Sequence, residues 1–513
     1  MKKIFRRTLS ILLCAAIVLS LAACGKGSGD GEKLASNVVS RVVYDAEHPY
    51  IEHNGAPYLF YGVQVRLDWI MQDTGSDLNY VEDVIAHAKA DGFNTVVVPI
   101  WWNYIEPNDG EYDYTWLEVF YKYLNKYDLL VQWLWFGTNS CGAGTPAPKW
   151  VKKDTETYWQ LEDVEGDWFN FSCEALLERE AKALGKMMDW IAENDTDRRC
   201  VVIQVNNEVD QGANMFQPDQ TDSVIAEENI GQWGQTEEGH DTYCWVGGQR
   251  EAFFHYQDVL GQEVHNSKYN CVTRVNVSGA GRNTIEGIAD DYDDLLATDG
   301  IDIMGVDCYS TTWDTLEGFI TWADDNVTHL AEANATYQFG YTAAKMFSLG
   351  AGILPYCFKG DRNGGGMYEQ TGHYKDWVEL ESTPWMRSFN QMINKALPQL
   401  SAAVPSGTVL EFNGEHQSGQ IKATRTLNGT RIIFTHETDA LGMAFPVSDT
   451  EWVLMATDDN AVFEFGNTVK VENATFGKFE GLDWKAQNVA KFEGNKVTLS
   501  AWQVVKVDVS NKK

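Results

Sequence analysis

From about residue 55 to residue 400, short apolar runs alternate with stretches in which apolar residues return at three- and four-residue steps. The first pattern predicts buried strands and the second predicts amphipathic helices. The strand candidates are Tyr58–Gln64, Asn94–Ile100, Leu129–Phe136, Cys200–Asn206, Cys271–Val277, Ile303–Tyr309, Thr328–Ala333 and Gly352–Phe358. Amphipathic stretches such as Leu78–Asp91 and Thr115–Tyr127 lie between them. Eight strand-helix units over this span predict an α/β fold, a (β/α)8 TIM barrel with insertions. An open doubly wound sheet should carry a Gly-x-Gly-x-x-Gly turn after an early strand, and none occurs.

Past Val404 the pattern changes to alternating strands and tight turns. Ile421–Thr426 and Thr430–Thr435 flank Leu427-Asn428-Gly429, and Asn-Gly between two alternating runs is a strong hairpin signal. Further strands are expected at Trp452–Thr457, Ala461–Phe465, Thr468–Val471, Lys496–Leu499 and Val504–Val509. The chain is therefore divided into a barrel over 41–403 and an antiparallel β-sandwich over 404–513. Two loops, Gly137 to about Arg198 and Asp210 to Val246, are longer than a barrel needs. Both follow strands at the predicted open face, where insertions shape a cleft.

The N-terminus reads as a secretory signal. Lys2, Lys3, Arg6 and Arg7 precede the apolar stretch Leu9–Leu21, which meets Leu21-Ala22-Ala23-Cys24. That junction resembles a bacterial lipobox, so residues 1–23 are the expected signal peptide, Cys24 the expected lipidated residue and 24–40 a flexible tether. The expected location is outside the cytoplasm, lipid-anchored to a bacterial cell membrane, with the lipid as the only membrane attachment. No later stretch reaches the roughly 18 apolar residues a spanning helix needs. The formal net charge of −34 repels phosphate backbones and argues against a nucleic-acid partner. Asp290, Asp291, Asp293 and Asp294 fit no EF-hand spacing and read first as a solvated face. With Cys14 and Cys24 set aside, the other seven of the nine cysteines cannot all pair, and no Cys-x-x-Cys or His-x-x-x-His points to a metal site. No metal or organic cofactor is expected.

The run Cys200-Val201-Val202-Ile203-Gln204-Val205 ends abruptly in Asn206-Asn207-Glu208. An amide and a carboxyl at the mouth of a buried parallel strand suit a catalytic site, although a strand cap at a surface turn has the same letters. Retaining glycoside hydrolysis requires two carboxyl groups about 5 to 5.5 Å apart. Glu332, at the end of the seventh strand candidate, is the expected partner. From 208 to 332 is three units of roughly 40 residues, consistent with strands four and seven. Glu317 falls within a helix, and Glu369, Glu379 and Glu381 lie beyond strand eight. The competing reading of Glu332 is an acid capping the following helix. Tyr309, ending strand six, is placed to hydrogen-bond the nucleophile or to serve as a core tyrosine. Among 19 tryptophans, Trp101, Trp102, Trp135, Trp150 and Trp313 follow or end strands, and each is a candidate for stacking on sugar or for the core.

A family resemblance joins these residues. Gly62-Val63-Gln64-Val65-Arg66, Ala90-Asp91-Gly92-Phe93-Asn94-Thr95-Val96, Trp102-Asn103-Tyr104-Ile105-Glu106-Pro107 and Gly110-Glu111-Tyr112-Asp113-Tyr114 resemble the opening of the β-galactosidases of glycoside hydrolase families 35 and 42. Gln204-Val205-Asn206-Asn207-Glu208 resembles their acid/base strand, and Pro146-Ala147-Pro148-Lys149-Trp150 a segment after strand three. The resemblance implies a retaining enzyme with Glu208 as acid/base, a strand-seven glutamate as nucleophile and Asn207 on the sugar 2-hydroxyl. Arg66, Trp102, Asn103, Trp135 and Tyr309 are further substrate-binding candidates. The chain departs from family 35 at Ile105, where His is usual. It departs again at Leu134-Trp135-Phe136-Gly137-Thr138, where an Arg-x-Gly-Pro-Tyr run helps bind galactose, so the sugar stays open.

The resulting expectation is a retaining β-glycosidase acting on a carbohydrate, β-galactosidase-like, with its oligomeric state undetermined. Two rivals remain at this level. One is a carbohydrate-binding lipoprotein that has lost catalysis, which a nitrophenyl glycoside panel distinguishes. The other is an endo-acting glycanase of the same clan, for which polymer viscosity would fall before monosaccharide appears.

Overall fold

The computed structural model describes residues 37–140, 146–160, 169–208, 249–278, 295–309, 326–327, 329–334, 338–350, 352–359, 366–369, 373–413, 416–417, 420–438 and 440–512. The signal segment, Cys24, Asp290, Asp291, Asp293, Asp294, Trp313, Glu317 and the predicted loop from Asp210 to Val246 lie outside these residues. Cys141 and Cys244 do too, whereas Cys173, Cys200, Cys271, Cys308 and Cys357 are buried.

Ahead of the barrel stands a small antiparallel sheet of β1 (Ser40–Val43), β2 (Tyr50–His53) and β3 (Ala56–Tyr58). It was not anticipated, because three- and four-residue strands show too little alternation to stand out. It caps the N-terminal end of the barrel. Ser40 Oγ donates to Val201 O at 2.5 Å and accepts from Val272 N–H at 2.9 Å, and Ile51 joins the apolar cluster inside the barrel.

Eight parallel strands follow: β4 (Gly62–Gln64), β5 (Thr95–Trp101), β6 (Leu130–Ser140), β7 (Cys200–Asn207), β8 (Val272–Ser278), β9 (Ile303–Asp307), β10 (His329–Asn334) and β11 (Gly352–Tyr356). They pair in chain order. The first and last are joined by a parallel bridge between Tyr61 and Ile353, by Ile353 N–H to Phe60 O and by Phe358 N–H to Gln64 O. The expected barrel is thus the observed one. Several boundaries differ, two of them with consequences for the fold and the site. The predicted Tyr58–Gln64 strand is divided between β3 and β4, and the predicted Ile303–Tyr309 strand stops at Asp307, leaving Tyr309 beyond its end.

The pleat sorts the strand residues into two sets. Phe60, Val97, Leu134, Phe136, Val202, Val272, Ile303 and Leu354 fill the interior. Val96, Val98, Ile100, Trp133, Trp135 and Ile203 face the helices. Part of the predicted Gly137–Arg198 loop is a helix, Glu174–Asn194, which buries Leu176, Leu177, Ala181, Leu184, Met187, Met188 and Ile191 at helical spacing. Its many charged residues hid that period.

The C-terminal region holds two six-stranded sheets of antiparallel strands running from β12 (Leu410–Phe412) to β23 (Gln503–Asn511). The expected hairpin joins Gln420–Leu427 to Thr430–His436, with Asn428 and Gly429 both at positive φ, as a type I′ turn requires. The sandwich seats on the barrel through helices Thr383–Asn394 and Leu397–Ala403. Lys395 Nζ donates to Trp502 O at 2.8 Å, and Trp385 packs edge-on against Trp502. Among the described residues no helix is long and apolar enough to cross a membrane.

Candidate active site

Polar residues are placed in the barrel interior by the same period of two that places the apolar ones. Gln132, Gln204, Arg274, Asn276 and Asp307 alternate with buried aliphatics on β6 to β9, and all five are buried. Arg274 donates from Nε to Gln204 Oε1 at 2.9 Å and from Nη1 to Gln132 Oε1 at 3.0 Å. Burial lowers its pKa to about 10, against the raising effect of Asp307 and Glu332. It therefore stays a cation near neutral pH, beneath the carboxyl groups at the barrel mouth.

Above Arg274 the network reaches the strand ends. Gln204 Nε2 donates to Asn276 Oδ1 at 2.8 Å and to Asn207 Oδ1 at 3.1 Å. Asn276 Nδ2 donates to Asn207 Oδ1 at 3.0 Å and to Asp307 Oδ2 at 2.7 Å. With Oδ1 held by two donors, the orientation of the Asn207 amide is set and its Nδ2 points to the other side. Asn206 and Glu208 both take positive φ, so the chain turns sharply where β7 ends. Glu208 N–H donates to Asn276 Oδ1 at 3.1 Å, and its side chain is half-buried.

Glu332 lies on the same barrel face, 6 % exposed near the end of β10. The ladder from β10 to β9 shifts register between Leu330 and Glu332, and such a bulge re-aims the side chain that follows it. Tyr309 donates its phenol to Glu332 Oε2. Burial raises the proton affinity of Glu332, while Tyr309, Arg66, Arg274 and Gln64 oppose it in that order. Arg66, leaving β4, also donates to Tyr356 Oη at 2.8 Å at the end of β11. Tyr309 is 40% exposed, but lost solvation at its hydroxyl and then the charges of Glu332, Asp307 and Glu208 hold the phenol protonated. Glu208, Glu332, Asn207, Tyr309 and Arg66 are thus brought together at one end of the barrel.

The tryptophans sort differently. Trp102 and Trp135 are completely buried, which corrects the expectation that they line a sugar site. Trp135 shares the parity of Trp133 on β6 and faces outward, donating from Nε1 to Glu180 Oε1 at 2.9 Å. Trp102 donates to Glu106 Oε2 at 3.0 Å and packs edge-on against Trp150, itself covered by the Arg179 guanidinium. The interior-facing residue of that pair is Trp101, which packs on the interior cluster and stacks on Tyr104 with centroids 5.3 Å apart. Asn103 is half-buried beside it.

Sequence reasoning missed Gln64, Arg274, Asn276 and Asp307. The available signal was a polar residue at every second position of otherwise apolar strands, as in Arg274-Val275-Asn276. Several buried polar atoms near this barrel mouth have no partner among the described residues: Gln64 Oε1, Trp101 Nε1, Asn103 Oδ1, both side-chain atoms of Asn206, and Asp307 Oδ1. Buried polar atoms are ordinarily satisfied, so such a cluster marks a place where water or a ligand completes the set. Among the described residues no group of three or more His, Cys, Asp or Glu side chains is arranged to hold a metal ion.

No family model matches the sequence, and no curated protein matches it. Solved structures do resemble the fold. A β-galactosidase from the psychrophilic Marinomonas ef1 is 13% identical with a TM-score of 0.46, over 67% of this chain and 61% of that one. An exo-β-1,4-mannosidase from Opitutaceae bacterium strain TAV5 is 14% identical with a TM-score of 0.43, over 66% and 60%. A β-galactosidase from Bacillus circulans sp. alkalophilus is 10% identical with a TM-score of 0.47, over 89% and 100%. The chain thus spans about three fifths of the length of the first two.

Proposed function

We propose that this protein is a retaining β-glycosidase, held outside the cytoplasm by a lipid on Cys24 and hydrolysing β-linked glycans or oligosaccharides. The observation that carries the reading is the placement of Glu208 and Glu332 at the ends of two strands on one barrel face. Both of their charges act on Tyr309 and on Asp307.

In this reading Glu332 attacks the anomeric carbon as the bond to the leaving oxygen breaks and Glu208 supplies that oxygen with a proton. Glu208 then takes a proton from water, whose oxygen displaces Glu332 from the sugar. Tyr309 and Arg66 stabilise the ionised nucleophile, and Asn207 offers its amide to the 2-hydroxyl. β-Galactosides are the first substrates to try, because the sequence resemblance points to them. The apolar Leu134 and Phe136 stand where family 35 carries part of its galactose-binding segment, so other β-linked sugars belong in the same panel.

The experiment is Glu208→Ala on nitrophenyl and alkyl glycosides. Turnover of the alkyl substrates should fall by about two orders of magnitude or more, activated phenols should be spared, and azide should restore turnover with a β-glycosyl azide product. An unchanged rate on alkyl glycosides would remove Glu208 from the acid/base role.

A further inference from the structure

Asp307 has no part in the chemistry just described, yet it occupies the centre of the site. It ends β9, is 1% exposed, and is the ladder partner of Glu332. Its Oδ2 accepts from Asn276, while its buried Oδ1 accepts from no donor among the described residues. The Glu208 carboxyl lies within hydrogen-bonding range of the same side chain. Asn276 holds both partners, one through its amide nitrogen and the other through its amide oxygen at the Glu208 N–H. Two carboxyl groups meeting in this way can bond only through a proton.

The surrounding charges agree. The groups facing Asp307 are Glu208 from the end of β7, Arg274 from β8, Glu332 from β10 and the neutral phenol of Tyr309 from just past the end of β9, with Arg66 beyond Glu332. Three carboxyl groups stand against two guanidinium groups, and a single proton makes the set neutral. Burial first, then Glu332 and Glu208, push the proton affinity of Asp307 well above the usual carboxylate range, with Arg274 opposing.

Resting on the glycosidase reading, we propose that Asp307 is a positioning residue that shares one proton with Glu208 and so sets the pH range over which Glu208 works. In the first half-reaction the shared proton passes through Glu208 to the leaving oxygen as Glu332 becomes an ester. The pair gains one negative charge while Glu332 loses one. In the second half-reaction Glu208 takes a proton from water, the water oxygen bonds to the anomeric carbon, the ester breaks, and every charge returns to its starting value. Because like charges resist the loss of the last proton, the pair keeps an acid available to higher pH than Glu208 alone.

Asp307→Asn keeps the shape and removes both the charge and the proton site. The basic limb of kcat/KM on a poor leaving group should move down by about one pH unit or more. A limb that stays in place overturns the proposal. For a variant that fails to fold, infrared spectra of wild-type protein carrying carbon-13 aspartate give the answer instead. A protonated aspartate carboxyl should persist at about pH 6, where an ordinary aspartate is ionised, and spectra showing only ionised aspartate overturn the proposal. Glu208→Ala separates the two levels. An unmoved Asp307→Asn limb with azide rescue of Glu208→Ala intact removes the proton sharing and leaves the glycosidase reading standing. Loss of the leaving-group dependence in Glu208→Ala removes both.

Discussion

Tyr309 and Glu332 are hydrogen-bonded across neighbouring strands, the phenol reaching from two residues past the end of β9 to the carboxylate near the end of β10. Among the groups that oppose the protonation of Glu332, this hydrogen bond ranks first. The nucleophile must be ionised to attack, so activity is lost as pH falls through its pKa. Tyr309→Phe raises that pKa further, and the acidic limb of kcat/KM should move to higher pH. The expected shift is about one unit, from a charge-assisted hydrogen bond of roughly 1.5 kcal/mol. A limb that stays in place, or moves to lower pH, would show that the phenol does not tune this carboxylate.

The pleat of β5 and β6 yields a second expectation. Trp135→Ala empties a fully buried site on the helix side of the wall and should cost about 3 to 5 kcal/mol in chemical denaturation. Trp101→Ala removes a half-buried ring on the interior side, so its loss of stability should be smaller. Its kcat/KM should nevertheless fall by roughly tenfold, the scale of one aromatic contact. Equal stability losses with equal activity would contradict the assignment of the two faces.

These two residues also show how far the sequence was legible. Long apolar strands announced themselves, and eight of them at barrel spacing were enough for the architecture. The parity of a side chain was harder to read. Trp101-Trp102 offers two tryptophans at one strand end, and only the register of β5 against its neighbours shows that Trp101 faces inward. Tyr58–Gln64 looked like one strand because Leu59, Phe60 and Tyr61 are apolar throughout, although the chain leaves one sheet there and enters another. The position of Glu208 at a strand end was legible because it follows an apolar run and an asparagine. Asp307 was not, because a single acid within Gly305-Val306-Asp307-Cys308-Tyr309 acquires meaning only when β7, β8 and β10 bring Glu208, Asn276 and Glu332 around it.

The proposed anchor has its own check. Cys24→Ser should move the protein from the membrane to the soluble fraction and leave activity on soluble substrates unchanged. Acyl chains contribute about 0.8 kcal/mol per buried methylene, enough to account for membrane retention. A mutant that stays with the membrane would show that something other than acylation holds it.

The covalent step itself is the most direct test of the account. A 2-deoxy-2-fluoro glycoside with an activated leaving group should inactivate the enzyme with one-to-one release of that group, because fluorine slows breakdown of the glycosyl-enzyme more than an activated leaving group slows its formation. Peptide mapping of the trapped protein should find the sugar on Glu332. An adduct on another residue, or turnover with inversion and no adduct, would contradict the two-step mechanism through Glu332.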